Sequence, residues 1–133
     1  SIKVSELFKI TKYKTHYQMH STVEGNTESS LIEIIKATFP PASVTGAPKR
    51  KAVEIIDTLE PYFRSYYCGC AGLVKSETDF TLSVLIRTDI GMRDKLSYYA
   101  GCGIVWDSKP KKELNELYLK VKAFYLMQKT FNY

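Results

Sequence analysis

Apolar and polar positions change period along this chain, and the changes mark its elements. From Glu6 to Thr22 the residues Phe8, Ile10, Tyr13, Tyr17 and Met19 keep a loose alternation, which predicts one or two strands. Val23-Glu24-Gly25-Asn26 reads as the turn that follows. Leu31, Ile34, Ile35 and Phe39 then recur at helical spacing behind Ser30-x-x-Glu33, a capping-box pattern, and Pro40-Pro41 ends that helix. Helical spacing resumes with Ala52, Val53, Ile56 and Leu59, bounded by Pro48 at the expected first helical position and by Pro61. Three strands are expected next as a meander: Tyr66 to Lys75, Asp79 to Thr88 and Lys95 to Trp106. Lys75-Ser76-Glu77-Thr78 and Gly91-Met92-Arg93-Asp94 supply its turns. Ser108 caps a last helix, from about Lys109 to Gln128, with Leu114, Leu117, Val121 and Phe124 as its buried stripe. Strand, helix, helix, three strands, helix is an α+β order, not a regular βαβ alternation.

Strand side chains alternate, so each of the three central strands divides into two faces. Phe80, Leu82, Val84 and Ile86 make a core row, and Ala100, Cys102, Ile104 and Trp106 make another. The opposite faces are small, hydroxylated or bald: Thr81, Ser83 and Arg87; Gly101 and Gly103; Tyr67, Gly69 and Ala71. Glycines inside strands often mark the close approach of a ligand or another backbone. An arginine fork beside such a floor suits a planar carboxylate. The cysteines read as packing, since no adjacent base argues for a reactive thiol.

Charge adds a second pointer. Lys49, Arg50 and Lys51 crowd a helix start behind Ser43-Val44-Thr45-Gly46-Ala47-Pro48, where the helix dipole favours anions. That makes the loop either a seat for a carboxylate or phosphate, or a basic, solvated helix start. On the last helix Glu113, Glu116 and Lys120 stand at i, i+3 and i+7, in one narrow sector. Two carboxylates a turn apart suit Mg²⁺, although a solvated face with a Glu–Lys pair is the commoner meaning of such spacing. His16, Gln18 and His20 share a strand face, but without a third ligand the histidines read as ordinary polar positions.

The 133 residues suffice for one ordinary domain with its own core. A net charge of +5, spread along the chain, comes with no long basic helix and no zinc-finger or ribonucleoprotein spacing, so nucleic acid is not expected as a partner. No apolar run is long enough to span a bilayer, and no signal peptide is visible. Three cysteines, an odd number, fit a reducing cytoplasm better than a disulfide framework. The chain opens without methionine and is expected to be part of something longer.

Six blocks occur in one order: Ser21-Thr22-Val23-Glu24-Gly25; Ser43-Val44-Thr45-Gly46-Ala47-Pro48-Lys49; Leu59-Glu60-Pro61 with Arg64 and Tyr67-Cys68-Gly69; Ile86-Arg87-Thr88; Ala100-Gly101-Cys102-Gly103-Ile104-Val105 with Asp107-Ser108; and Glu113-x-x-Glu116-x-x-x-Lys120. Together they resemble the C-terminal half of the chorismate-utilising enzymes, over nearly the whole chain. That family holds the anthranilate, aminodeoxychorismate, isochorismate and salicylate synthases. The S-x-T-G-A-P-K block resembles the first two branches, and Tyr67-Cys68-Gly69 with Asp79-Phe80 resembles the aminodeoxychorismate branch. The resemblance implies an antiparallel sheet with helices packed on one side, and residues 1–133 as the C-terminal part of one chorismate-binding catalytic domain.

It also implies roles. Glu116 would bind Mg²⁺, with Glu113 assisting directly or through water. Lys120, Arg87 and Tyr67 would contact substrate carboxylates. Thr45, Gly101 and Gly103 would line the same pocket. The parent enzyme would convert chorismate and ammonia to 4-amino-4-deoxychorismate, toward para-aminobenzoate and folate, with a glutamine amidotransferase subunit supplying the ammonia. Two departures stand out. Where many relatives carry a histidine, this chain has Gln18, which favours aminodeoxychorismate formation. The family's P-x-K-G-T block is absent, and with it the nucleophilic lysine, the general acid and the other Mg²⁺ glutamate. No catalytic residue is therefore expected in this half. Inactivity alone and self-association of the exposed half-interface are expected instead. The alternatives are anthranilate synthase component I and a non-catalytic anion-binding module.

Overall fold

Two strands open the chain, β1 (Lys3–Lys12) and β2 (Tyr17–Glu24), paired antiparallel from Lys3 opposite Glu24 to Lys12 opposite Tyr17. The computed structural model describes residues 1–13 and 17–131, with residues 123 and 127–131 described by backbone alone, so the expectation on His16 lies outside the described residues. The pairing shifts between Val4 and Glu6 and again between Glu6 and Lys9. Phe8, inside that second irregularity, has φ 51°, and its N–H donates to the Ser21 hydroxyl at 3.1 Å. Such a bulge explains why the alternation in sequence is loose. Strand β2 runs on through Val23 and Glu24, where a turn was expected, and residues 25–30 are irregular.

Helix α1 (Leu31–Thr38) is capped as its sequence requires. Ser30 N–H and Oγ both donate to Glu33 Oε2, at 2.8 and 2.9 Å, and Glu33 N–H returns to Ser30 Oγ at 3.4 Å. These bonds hold the Glu33 carboxyl below its ordinary pKa. The chain divides into two compact units, Ser1–Ile34 and Ile35–Tyr133.

The second unit begins with one helical turn, α2 (Ala42–Thr45), where the sequence suggested only a loop. Gly46 ends it at φ 125°, a conformation that suits glycine. Helix α3 (Lys49–Leu59) starts one residue later than expected: Pro48, with ψ 133°, is its extended N-cap and not its first helical residue. Beyond it, β3 (Cys70–Val74) pairs antiparallel with β4 (Phe80–Val84), and β5 (Asp89–Met92) with β6 (Lys95–Tyr98). The expected three-strand meander is thus two hairpins. With β1–β2 there are three two-stranded antiparallel sheets among the described residues, in place of one.

Both corrections trace to particular residues. Leu85 to Thr88 leave the strand, with Arg87 at φ 54°, so the row Phe80, Leu82, Val84 is half-buried while Ile86 is 40% exposed. Residues 99–105 leave the sheet because other groups take up their polar atoms. The Gly101 carbonyl accepts from Lys120 Nζ at 2.9 Å, and the Cys102 thiol donates to the Glu113 carbonyl at 3.3 Å. Both partners lie on the last helix, α4 (Pro110–Phe131). Its half-buried stripe is Glu113, Leu117, Lys120, Val121 and Phe124, whereas Leu114 is exposed. Phe124 stacks on Tyr98, ring centroids 4.8 Å apart. The fold is α+β with antiparallel pairing, as expected. Among the described residues no helix is long and apolar enough to cross a membrane.

Candidate active site

A cleft of about 890 Å³ opens within the second unit, between the α2 turn, the end of α3, the 65–68 turn, residues 98–105 and Lys120. Thr45, Tyr67, Arg87, Gly101, Gly103 and Lys120 all line it. Six residues drawn from five separate blocks of sequence therefore meet in one hollow.

Each arrives by its own route. Thr45 closes α2, with its hydroxyl donating to the Pro41 carbonyl at 3.0 Å. Tyr67 sits in the turn after α3, stacked on Tyr99 with centroids 5.7 Å apart. Burial pushes the Tyr67 hydroxyl up to about 12, so at neutral pH it is a proton donor. A Cβ at Gly101 would stand 2.8 Å from that hydroxyl oxygen, so the absent side chain leaves the hydroxyl its room, while Gly103 faces open space. Arg87 is exposed and, among the described residues, its guanidinium has no hydrogen-bond or ion-pair partner.

Beside the cleft stand the carboxylates of α4. Lys120 Nζ lies 2.7 Å from Glu116 Oε1, and its ammonium holds the Glu116 carboxyl below its ordinary pKa. One ligand atom each from Cys102, Glu113 and Glu116 lie within 4.8 Å of one another, and among the described residues this is the one such group. Hard carboxylate oxygens from successive helical turns fit Mg²⁺, while the thiol, a soft donor, does not add to that fit. Burial raises the Cys102 thiol pKa. The sequence had assigned this cysteine to packing alone; its place against α4 depended on residues 99–105 leaving the sheet.

The basic helix start turned out bland. Lys49 Nζ donates to the Ala37 carbonyl at 3.0 Å, and Arg50 and Lys51 pair with Glu54 at 3.5 and 3.2 Å. None of the three lines the cleft, so the proposed anion seat at this helix does not form from them. In the first unit, His20 Nε2 faces Glu6 Oε2 at 3.3 Å, and Gln18 donates to the Met19 carbonyl.

Sequence reasoning gave Arg64 no role. Its Nε and Nη2 grip the two oxygens of Glu60 at 2.8 and 2.6 Å, and its Nη1 donates to the Val44 carbonyl at 3.1 Å. Only the block Leu59-Glu60-Pro61 with Arg64 hinted at the pair, by its i, i+4 spacing.

A family model described as chorismate binding enzyme matches residues 1–126. The chain is 40% identical over 125 residues to the chloroplastic aminodeoxychorismate synthase of Arabidopsis thaliana, covering 92% of this chain and 14% of that protein. It is 37% identical over 125 residues to anthranilate synthase component 1 of Saccharolobus solfataricus, covering 92% and 30%. To aminodeoxychorismate synthase component 1 of Escherichia coli it is 37% identical over 123 residues, covering 91% and 27%. The chain thus spans less than a third of the length of these relatives.

Proposed function

The chain belongs to the chorismate binding enzyme family, and from that premise we propose that it is the C-terminal part of an aminodeoxychorismate synthase. The whole protein would join ammonia to chorismate to give 4-amino-4-deoxychorismate, with a glutamine amidotransferase subunit as its partner. The supporting observation is the meeting of Tyr67, Arg87, Lys120 and the bare Gly101–Gly103 floor in one cleft, with Glu113 and Glu116 beside it. Chorismate is a dicarboxylate. An unpaired guanidinium, a neutral phenol and an ammonium are the donors such a substrate needs.

Each group has a separable task. Arg87 presents its fork to one carboxylate. Tyr67 donates its hydroxyl, kept protonated by burial. Lys120, tied to the Gly101 carbonyl, brings its positive charge to the glycine floor. Thr45 shapes the opposite wall, its hydroxyl already spent on Pro41. Glu116, with Glu113, would hold Mg²⁺, which when bound supplies Lewis-acid compensation for substrate charge. The groups for covalent or acid–base chemistry would come from the rest of the protein, so the 133 residues alone bind without turnover.

Anthranilate synthase is the second reading, favoured by relatives of that name at similar identity. Product analysis of the intact protein with chorismate, ammonia and Mg²⁺ separates the two. Aminodeoxychorismate is expected, and loss of turnover in Glu116→Gln would accompany it. Anthranilate with pyruvate would replace this assignment by the other. Neither product would leave an anion-binding module.

A further inference from the structure

Arg64 lies at the junction of three segments that line the cleft: the α2 turn, the end of α3 and the 65–68 turn. Its Nε and Nη2 hold Glu60 in a bidentate pair, its Nη1 reaches the Val44 carbonyl at 3.1 Å and the Cys68 sulfur at 3.6 Å, and its guanidinium carbon stands 5.7 Å from the Tyr67 ring centroid. An arginine fork carries a fixed set of N–H donors, and here all but one are committed to protein atoms. Little remains for a ligand. The pair is also half-buried, at 22% and 28% side-chain exposure, so it is better shielded than a surface ion pair.

What it joins is specific. Val44 precedes Thr45, on one wall of the cleft; Cys68 follows Tyr67, on the other. Cys68, at φ 67°, is the one buried hydrophobic residue among the described residues, 3% exposed. A left-handed, non-glycine residue at the end of a turn persists only where its surroundings hold it. The Cys68 N–H donates to the Leu85 carbonyl and its sulfur meets Arg64, which supply that hold.

We propose that Arg64, braced by Glu60, is a positioning residue although both line the cleft: with its donors committed to protein atoms, it fixes the Thr45 wall and the Tyr67 wall at one separation, and so sets how well the cleft receives the substrate. This deepens the functional reading above and rests on it for the identity of the substrate. Lysine would keep the charge but lose the fork, since one ammonium cannot span Glu60, Val44 and Cys68 in the same geometry.

The test uses the intact protein carrying this chain, with Arg64→Lys and Glu60→Gln, each also combined with Tyr67→Phe. Without ligand, Arg64→Lys is expected to speed amide exchange about 10-fold in residues 42–47 and 65–69 and to leave residues 110–122 unchanged. With chorismate, KM should rise about 10-fold while kcat stays within about 2-fold, and the Tyr67→Phe penalty should shrink in the Arg64→Lys background. Glu60→Gln should move both readouts the same way by less, which keeps the proposal open to refutation if Arg64→Lys does not fold. Exchange that rises equally in 110–122, a kcat loss without a KM change, or an undiminished Tyr67→Phe penalty would overturn it. Should the wild-type protein not act on chorismate, the functional reading fails, and the ligand-free exchange alone decides whether the clamp exists.

Discussion

Tyr67 shows how one side chain is set by its surroundings. A phenol ordinarily loses its proton near pH 10; burial against Tyr99 and Gly101 raises that value to about 12. The folded form thus binds the proton more tightly than the unfolded one. This stabilisation is fully present below the unfolded value and is lost as pH rises from about 10 through the folded value. Tyr67→Phe is therefore expected to lose less melting temperature than wild type between about pH 10 and about 12. The sequence holds nine other tyrosines, so only the difference between the two curves reports on Tyr67. Parallel curves would mean that burial does not govern this phenol. For the proposed function the corollary is that the Tyr67 hydroxyl keeps its proton, and is available to donate it, over the whole neutral range.

Among the elements, the β3–β4 hairpin has the narrowest tolerance. Gly72 lies opposite Leu82, and a Cβ built there would come within 1.9 Å of the Thr81 carbonyl oxygen and 2.9 Å of the Leu82 Cα. Both obstacles are backbone, which cannot rotate away. Gly72→Ala is expected to destabilise by about 3 kcal/mol, the upper end of ordinary overpacking. Urea unfolding measures it, and lost amide protection should concentrate in residues 70–74 and 80–84. A change under about 0.5 kcal/mol would show that the strands separate at little cost. The capping box of α1 is the opposite case, an element whose start is specified by two adjacent side chains and needs no distant partner.

Over the whole molecule, apolar surface is what the chain leaves uncovered. Trp106 is 99% exposed, Phe63 89% and Ile2 83%, and large hydrophobic residues are exposed in both units. Bare apolar area above a few hundred Å² rarely stays solvated in a monomer. The 133 residues produced alone are therefore expected to self-associate, with a light-scattering mass that climbs with concentration. A constant monomer mass from micromolar to millimolar would contradict this. The relatives are three or more times longer, and their additional length is an available source of cover in the whole protein.

Patterns that operate within a few residues were legible in the chain. Helix spacing, the Ser30–Glu33 cap, the Phe80–Val84 alternation and the i, i+3, i+7 sector of Glu113, Glu116 and Lys120 follow from local geometry, and the structure keeps them. What could not be read was where backbone polar groups find partners across the fold. Two groups of α4, the Lys120 ammonium and the Glu113 backbone carbonyl, draw residues 99–105 out of the sheet, which splits the meander and brings Cys102 to the carboxylates. Arg64 is the same lesson: its spacing to Glu60 is visible in the sequence, but Val44 lies twenty residues away, and only folding brings that carbonyl within its reach. Local sequence determined which segments form and which faces they offer; long-range hydrogen bonding decided where the strands stop and which walls enclose the cleft.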